Sequence, residues 1–276
     1  MLARRILCLT TYFVIAGCAA SSGGTLVILI GSIRGGVKAW TSLSRQVLEK
    51  LSADLMVVSN ENVTFFSSLA KFYFIEPDPV WDALYSADVV KFVAERVEHP
   101  YLRRSIFMEV FQRDDVRRKL LVLSRDILDK YSWFVVTRTD FFYQCPYPLM
   151  NFSNLAQSVF IPRGEEYGGI SSRHILAPRS LILEALDLFN YLHTHVTEPF
   201  AFVNFETLLF HVLTAKNMTI ERFCLPAFTV RSRTENASSW SPGHAGIVKD
   251  PDLLVKYPSE LRTALTCCPV PDEDAP

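Results

Sequence analysis

The hydrophobic pattern of the chain opens on a βαβ unit. Thr25–Ile30 is a continuous β-branched and apolar run, as expected for a strand that is buried on both faces. A glycine-rich loop, Gly31–Gly36, follows it, and apolar residues then recur at helical spacing as far as Leu51. Asp54–Val58 is a second short strand. A strand, a helix and a second strand within about 30 residues predict a parallel sheet with a right-handed crossover.

The middle of the chain continues this alternation. The pattern predicts a mixture of loop and short helix over 60–99 and a helix over about 103–130. Trp133–Val136 follows as a buried strand that ends at Thr137–Asp140. The predicted helix also carries a basic cluster that is typical of a solvated face. This cluster consists of Arg113, Arg117, Arg118 and Lys119.

The last part of the chain predicts two more helices and a tail. One helix is expected over 180–191 and the other over 205–215, the latter with Asn204 as its N-cap. Residues 258–276 are rich in proline and acidic side chains and predict a loose C-terminal tail. Because no repeat or linker divides the preceding chain, we expect a single α/β domain over 25–257.

Composition adds a secretory leader to this description. The chain has 276 residues, of which 49% are apolar, and its formal net charge is −1, which excludes a disordered chain and removes the basic excess of nucleic-acid binders. The mean hydropathy of +0.17 is high. Arg4 and Arg5 precede the uncharged stretch Ile6–Ala20, which predicts a signal peptide or a short signal-anchor over 1–22. Ile15–Cys18 also suits a bacterial lipoprotein cleavage box.

Glycosylation triplets favour the eukaryotic secretory pathway. Four Asn-x-Ser/Thr triplets occur where chance supplies roughly one, and each taken alone also suits an ordinary surface turn. They begin at Asn62, Asn151, Asn217 and Asn236. We therefore expect a protein of the ER or Golgi lumen, either with a single-pass type II anchor or secreted.

The cysteines are compatible with that compartment. Beyond the leader the chain carries Cys145, Cys224, Cys267 and Cys268, and an oxidising lumen favours one or two disulfides among them. Three pairings are open, although a bond between the adjacent Cys267 and Cys268 would be strained.

Several familiar chemistries are excluded by their missing motifs. The chain has no Gly-x-Ser-x-Gly elbow, no Gly-x-Gly-x-x-Gly fingerprint, and no Cys-x-x-Cys or His-Glu-x-x-His spacing that would support zinc. The stretch 31–38 lacks the Gly-Lys-Ser/Thr of a phosphate-binding loop.

A candidate ligand site lies where the parallel strands end. Open α/β sheets bind ligands beyond the carboxyl ends of their strands, and there the sequence places Arg34 and Asp140. Arg34 suits a diphosphate, Gly35 and Gly36 would let backbone N–H groups approach it, and Asp140 would hold a divalent ion. The alternatives are a tight turn that needs glycine and a structural ion pair between Arg138 and Asp140.

The order of several segments resembles a known group. The segments 31–35 and 133–140, followed by Ile161–Gly169 with Ser172-Arg173-His174, then by Asn204-Phe205-Glu206 and Phe228–Arg231, resemble a glycosyltransferase-like family with the GT-A nucleotide-sugar fold. Uncharacterised plant, algal and protist proteins share this arrangement, and WavE-type lipopolysaccharide-synthesis proteins are similar. The resemblance spans about residues 25–232 and implies one GT-A-like, Rossmann-like domain with a mostly parallel central sheet.

The resemblance also implies roles for particular residues. Asp140 corresponds to the last acid of the Asp-x-Asp element that binds Mn²⁺ or Mg²⁺ with the donor diphosphate, but Arg138 replaces the first acid, so the metal requirement is in doubt. Glu206 is the candidate general base, with a role opposite the helix dipole as its alternative. The donor-binding residues implied are Gly31, Arg34, Gly35, Arg138 and Asp140. The sugar- or acceptor-contacting residues implied are Glu165, Glu166, Gly168, Gly169 and His174. Their alternatives are a tight turn with two exposed carboxylates and, for His174, a hydrogen-bonded structural histidine.

The sequence therefore predicts a glycosyltransferase of the secretory pathway that moves a sugar from a nucleotide-sugar donor to a glycan or glycoprotein acceptor. Two other hypotheses stay open. One is a catalytically inactive glycosyltransferase-like protein that binds glycans or acts as a scaffold. The other is a secreted protein whose βαβ core has no nucleotide role. None of the three involves nucleic acid, and contact with a membrane is expected only through the N-terminal anchor.

Overall fold

The structure is a computed structural model that describes residues 23–122, 128–148, 157–197, 199–235, 243–248 and 250–268. The predicted leader and the glycosylation sites Asn151 and Asn236 lie outside the described residues, as does the end of the predicted tail, 269–276.

The described strands fall into two sheets. Their bounds are β1 (Gly24–Ile30), β2 (Asp54–Ser59), β3 (Phe72–Ile75), β4 (Tyr131–Thr137), β5 (Phe141–Tyr143), β6 (Ser158–Pro162), β7 (His174–Pro178), β8 (Thr219–Phe223), β9 (Ala227–Ser232) and β10 (Leu253–Val255). The larger sheet has the order β3-β2-β1-β4-β7-β6-β8, and the smaller has the order β10-β9-β5.

The described helices connect these strands. Their bounds are α1 (Gly36–Leu43), which continues through a π-helical stretch (Ser44–Leu48) into α2 (Glu49–Leu51), α3 (Thr64–Ser67), a 3₁₀ turn (Trp81–Leu84), α4 (Ala87–Arg96), α5 (Pro100–Val122), α6 (Arg179–Ala185), α7 (Leu188–Thr194), α8 (Phe205–Ala215) and α9 (Pro258–Cys267).

The larger sheet is mostly parallel. β1 pairs in parallel with both β2 and β4, β2 with β3, and β6 with β8. Within the described part of this sheet only β7 runs against its neighbours, β4 and β6. The predicted class, α/β with a mostly parallel central sheet, is confirmed.

The apolar run of β1 serves two hydrophobic cores at once. Successive side chains of a strand point to opposite faces, so Leu26 and Ile28 pack into the core beneath α5 and α8, whereas Val27 and Leu29 pack beneath α1. All four side chains are fully buried. The continuous apolar run, rather than an alternating one, is what a central strand covered on both faces requires.

A third core joins the smaller sheet to α1 and α9. Phe228 and Val230 of β9 pack with Ala39 of α1 and with Leu261 and Ala264 of α9. Two disulfides, Cys145–Cys268 and Cys224–Cys267, connect the end of α9 to the segments after β5 and after β8. The prediction of a loose tail from residue 258 is therefore wrong as far as residue 268.

Three other predictions about elements need correction. The segment 60–99 contains the sheet strand β3, which was not predicted, and the helix predicted over 180–191 is divided into α6 and α7. The basic face predicted for α5 is not uniformly solvated, because Arg113 is only 1% exposed and Arg117 pairs with Asp187. The predicted N-cap of α8 is confirmed, since the Asn204 side chain accepts a hydrogen bond from the Thr207 N–H.

Within the part of the chain that the structure describes, no helix combines the length and the apolar character that a membrane span needs.

The disulfides predict the behaviour of the C-terminal segment. Replacing both Cys145 and Cys268 with Ser should lower the free energy of unfolding by about 2–5 kcal/mol, because the bond closes a long loop in the unfolded chain. Urea unfolding measures this loss, and peptide mapping under non-reducing conditions checks the pairing. A peptide that joins Cys145 to Cys267 would contradict the structure.

Candidate functional site

The glycine loop after β1 packs directly against the end of β4. The two strands are parallel neighbours, with Leu29 paired to Thr137. A Cβ atom on Gly35 would lie 2.8 Å from Cα of Asp140, so the two backbones are in contact there. The Arg34 N–H donates to Oγ1 of Thr139 at 2.9 Å. The structure thus brings Arg34, Arg138 and Asp140 to one edge of the sheet, where ligands bind in open α/β folds.

Asp140 lies at the centre of a buried ion cluster. Arg138 donates to both carboxylate oxygens, from Nε to Oδ1 at 2.9 Å and from Nη2 to Oδ2 at 2.8 Å. Lys256, which follows β10, donates from Nζ to Oδ2 at 2.8 Å. Burial alone would raise the pKa of the Asp140 carboxyl, but the charges of Arg138 and Lys256 outweigh that effect and hold this pKa well below its usual range. Asp140 is therefore ionised at any physiological pH.

The guanidinium of Arg138 is fixed on one side and open on the other. Two of its five N–H groups are used by Asp140, and no other hydrogen bond of this side chain occurs within the described residues. Its side chain is 28% exposed, whereas that of Asp140 is 2% exposed. The Arg34 side chain, on the facing loop, is exposed and has no ion-pair partner in the described part of the chain. Both cations are thus available to an anion at this edge.

Asp140 does not fit the role of a metal ligand that the resemblance implies. A divalent cation would have to displace Arg138 or Lys256 from an oxygen that already accepts their hydrogen bonds, and would stand beside two positive charges. Among the described residues, no cluster of three or more His, Cys, Asp or Glu side chains is arranged to hold a metal.

Two glycine N–H groups of the loop, those of Gly31 and Gly35, are already hydrogen-bonded within the protein. Gly31 donates to the Val58 carbonyl at 3.1 Å, and Gly35 donates to Oε1 of Glu235 at 2.5 Å. The expectation that the Gly35 N–H approaches a phosphate is therefore not met in this structure, and the N–H of Gly31, which the resemblance places among the donor-binding residues, is not open either. The same expectation for Gly36 stays a prediction. Gly35 is instead required by packing, because its φ is +89° and a Cβ atom would collide with Asp140.

Glu206 lies in the first turn of α8, half-buried beside β7. Its Oε1 accepts a hydrogen bond from Oγ of Ser172 at 3.0 Å. Burial raises the pKa of the Glu206 carboxyl above its ordinary 4.5, the Ser172 hydrogen bond opposes this, and the negative charge of Glu109 adds to it. A carboxylate with a raised pKa is suited to accept a proton.

Glu206 and Arg138 are influenced by the same two charged side chains. Because β4 and β7 are antiparallel with Thr137 opposite His174, the residues just beyond this pair, Arg138 and Arg173, lie at the same end of the two strands. The charges of Arg173 and Glu109 act on the pKa of both Arg138 and Glu206. The candidate base and the cation cluster therefore belong to one charged region at this edge of the sheet.

His174 does not contact solvent, and its predicted role in binding sugar or acceptor is wrong. Its side chain is fully buried, with Nε2 hydrogen-bonded to the Tyr147 hydroxyl at 2.9 Å and Nδ1 to Oγ1 of Thr137 at 3.0 Å. Burial lowers the pKa of His174 to about 3. The imidazole is a neutral core group that is hydrogen-bonded to the last residue of β4, Thr137.

The loop over 164–169 contacts both α8 and α9. Gly169 is required by packing, because a Cβ atom there would lie 2.2 Å from the Glu206 carbonyl oxygen. Glu165 accepts a hydrogen bond from Ser259, and Glu166 pairs with Arg222. Gly168 is exposed and has a φ of +84°. This loop fixes the position of Glu206, and the predicted contact of its carboxylates with a sugar stays a prediction.

Several residues of this region have no local signature in the sequence. Lys256 is 116 positions from Asp140 and is marked only as a single charge after the apolar segment Leu253–Val255. Arg173 pairs with Glu260 of α9 at 2.8 Å, and Glu260 also accepts from the Thr229 N–H at 2.6 Å. Only the pairing of β9 with its neighbours brings these groups to the site.

Comparisons with known proteins add a distant likeness to solved structures. No protein-family model and no curated protein matches the chain. Among solved structures, the chain is similar to the crystal structure of a glycosyltransferase involved in the glycosylation of the major capsid of PBCV-1. The identity is 10%, the match covers 72% of this chain and 82% of that chain, and the TM-score is 0.37. A likeness at this level carries no argument about function, so the family resemblance of the motifs stays a prediction.

The packing of Gly169 predicts a localised effect. Gly169→Ala should lower the free energy of unfolding by about 1–3 kcal/mol, because the added methyl group forces α8 away from the loop. Gly24→Ala is the control, since a Cβ atom there meets only ordinary contacts at 3.5 Å or more. Equal stability of the two variants in urea unfolding would show that the loop does not contact α8 as described.

The buried His174 predicts a pH dependence of stability. Unfolded chains protonate histidine near pH 6.5, whereas the folded protein does so only near pH 3, so stability is fully present above pH 6.5 and falls as the pH falls towards 3. Between pH 7.5 and pH 5 the loss from this group is about 2 kcal/mol. Urea unfolding at both pH values should show a smaller difference in His174→Gln, with exposed His244→Gln as the control. An unchanged difference in His174→Gln would contradict a buried, neutral imidazole.

Proposed function

We propose that the protein is a glycosyltransferase that transfers a sugar from a nucleotide-sugar donor to a hydroxyl of a glycan or glycoprotein. The cation cluster at the carboxyl edge of β1 and β4 carries this proposal. Arg34, Arg138 and Lys256 bring three positive charges there against the negative charges of Asp140 and of Glu235, which accepts a hydrogen bond from the Gly35 N–H, so these five side chains carry a net charge of +1. A diphosphate group complements that charge, and the position is where open α/β sheets bind nucleotides.

In this proposal the arginines stabilise the leaving group. Asp140 fixes the Arg138 guanidinium through two hydrogen bonds, so that its remaining N–H groups face the donor with little loss of side-chain entropy. Arg34 approaches the diphosphate from the glycine loop. As the bond between the sugar and the diphosphate breaks, negative charge develops on the phosphate oxygens, and both guanidinium groups stabilise it.

Glu206 supplies the base in an inverting transfer. Its carboxylate takes the proton of the acceptor hydroxyl as that oxygen attacks the anomeric carbon and the nucleoside diphosphate departs. Ser172 orients the carboxylate. Glu165, Glu166 and the exposed Gly168 flank the acceptor side of the same region.

The secretory pathway is part of the proposal. Two disulfides are consistent with folding in an oxidising compartment. Asn62 and Asn217 are both exposed, as N-glycosylation requires, and the predicted leader would deliver the chain to the ER or Golgi lumen.

A second candidate function is a lumenal glycan-binding or scaffold protein without activity. One observation favours it: the N–H groups of Gly31 and Gly35 and the oxygens of Asp140 already have partners in the protein. The two candidates differ in whether the chain binds a nucleotide and releases its sugar.

The test of the proposal is nucleotide binding followed by turnover. Thermal shift of the full chain with UDP, GDP and CMP, each with and without Mn²⁺, should show stabilisation by one of them. With the matching nucleotide-sugar, Glu206→Gln should lower kcat by about 10²–10⁴ while nucleotide binding is retained. The rate of the wild type should rise with pH through the raised pKa of Glu206, above 4.5, and this limb should be absent in the variant.

Glu221→Gln, at an exposed position of β8, is the control for the change of charge. No stabilisation by any nucleotide would reject the transferase and favour the binding protein. Stabilisation with full activity in Glu206→Gln would retain the transferase but remove Glu206 as its base.

A further inference from the structure

We propose that Lys256 and Arg138 together replace the divalent cation at this site, so that the chain binds a nucleoside diphosphate through protein cations alone. The inference rests on the proposed function and extends it to the chemistry that holds the donor.

Lys256 is placed as part of the site and not as surface charge. Its side chain is 8% exposed and its Nζ lies 2.8 Å from Oδ2 of Asp140. Its backbone N–H donates to the Thr229 carbonyl at 2.9 Å, which fixes it to β9. Burying an ammonium group is costly, so its position against the carboxylate is a specific feature of the fold.

The charge of the cluster exceeds what Asp140 needs. Arg138 alone neutralises the carboxylate through two hydrogen bonds. With Lys256 added, the three side chains sum to one net positive charge. On the facing loop, exposed Arg34 adds a positive charge and Glu235, which accepts from the Gly35 N–H, offsets it. A metal-dependent site has the opposite character, because acidic side chains hold the cation and the cation then holds the phosphates.

The same atoms oppose a metal at Asp140. Oδ2 accepts from both Arg138 and Lys256, and Oδ1 accepts from Arg138, so each oxygen is engaged with a cationic donor. Guanidinium and ammonium groups both bind phosphate, the former through paired N–H groups and the latter as a point charge. The protein thus carries in its side chains the positive charge that a metal would otherwise supply.

The decisive experiment is titration calorimetry of the full chain with the nucleoside diphosphate that stabilises it, in EDTA and in Mn²⁺. The expected Kd is the same in both buffers to within about twofold. Binding at least tenfold weaker in EDTA would overturn the inference while leaving the proposed function intact. Absence of binding by UDP and GDP in both buffers would reject the proposed function together with the inference.

Substitutions test whether the cations around Asp140 are responsible for binding without metal. Lys256→Met keeps an apolar side chain of similar length and should weaken binding in EDTA by about tenfold or more, because the diphosphate loses the attraction of a positive charge beside Arg138. Because Oδ2 loses a competing cation, Mn²⁺ should recover part of this loss, which a purely structural role of Lys256 would not produce. Binding in EDTA equal to the wild type would contradict the inference.

If Lys256→Met does not fold, exposed positions provide the same information. Arg34→Gln should weaken binding in EDTA by about tenfold, whereas Arg45→Gln, an exposed arginine on the following helix, should leave it unchanged. Equal affinities of these two variants would contradict a diphosphate held by the cations of this edge.

Discussion

The ion pairs of the buried Asp140 carboxylate are the interactions on which the rest of the candidate site depends. It lies at the end of β4, against the glycine loop that follows β1, and it is held by Arg138 and by Lys256 from the segment after β10. Three distant parts of the chain therefore meet at one ionised group. Removing one partner of such a buried pair typically costs about 3–5 kcal/mol, because it leaves a charge without compensation. The glycine loop, the end of β4 and the smaller sheet therefore depend on one another for their positions.

The C-terminal segment completes this arrangement from outside. Glu260 of α9 holds Arg173 and the backbone of β9, and two disulfides connect the end of α9 to loops on either side. Lys256 enters the site from the residues that lead into this helix. The segment 253–268 thus supplies both a cation and the structural support of the candidate site, so β10 and α9 belong to the same structural unit as that site.

The hydrophobic pattern of the sequence was sufficient to predict the central strands and the helix after the glycine loop. The apolar runs of β1, β2 and β4 and the helical spacing after the glycine loop have their cause in burial on a central sheet. Because the carboxyl ends of parallel strands lie at one edge of a sheet, the sequence also predicted that Arg34 and Asp140 lie at the same edge. The positions of Lys256, buried Arg113 and buried His174, and the pairing of the disulfides, depend on contacts between residues that are 27 to 123 positions apart in the sequence. Such contacts leave no periodic pattern in the sequence. Gly35 and Gly169 show the same limit, because the neighbour that excludes a side chain lies far along the chain.

In the proposed function, the diphosphate of a nucleotide binds to the cations grouped around Asp140. A crystal structure of the chain with a bound nucleoside diphosphate, grown in EDTA, tests this arrangement. Phosphate oxygens are expected within hydrogen-bond distance of Arg138, with Lys256 still on Asp140. A diphosphate bound elsewhere on the sheet, or a metal ion on Asp140 in place of Lys256 in crystals grown with Mn²⁺, would contradict it.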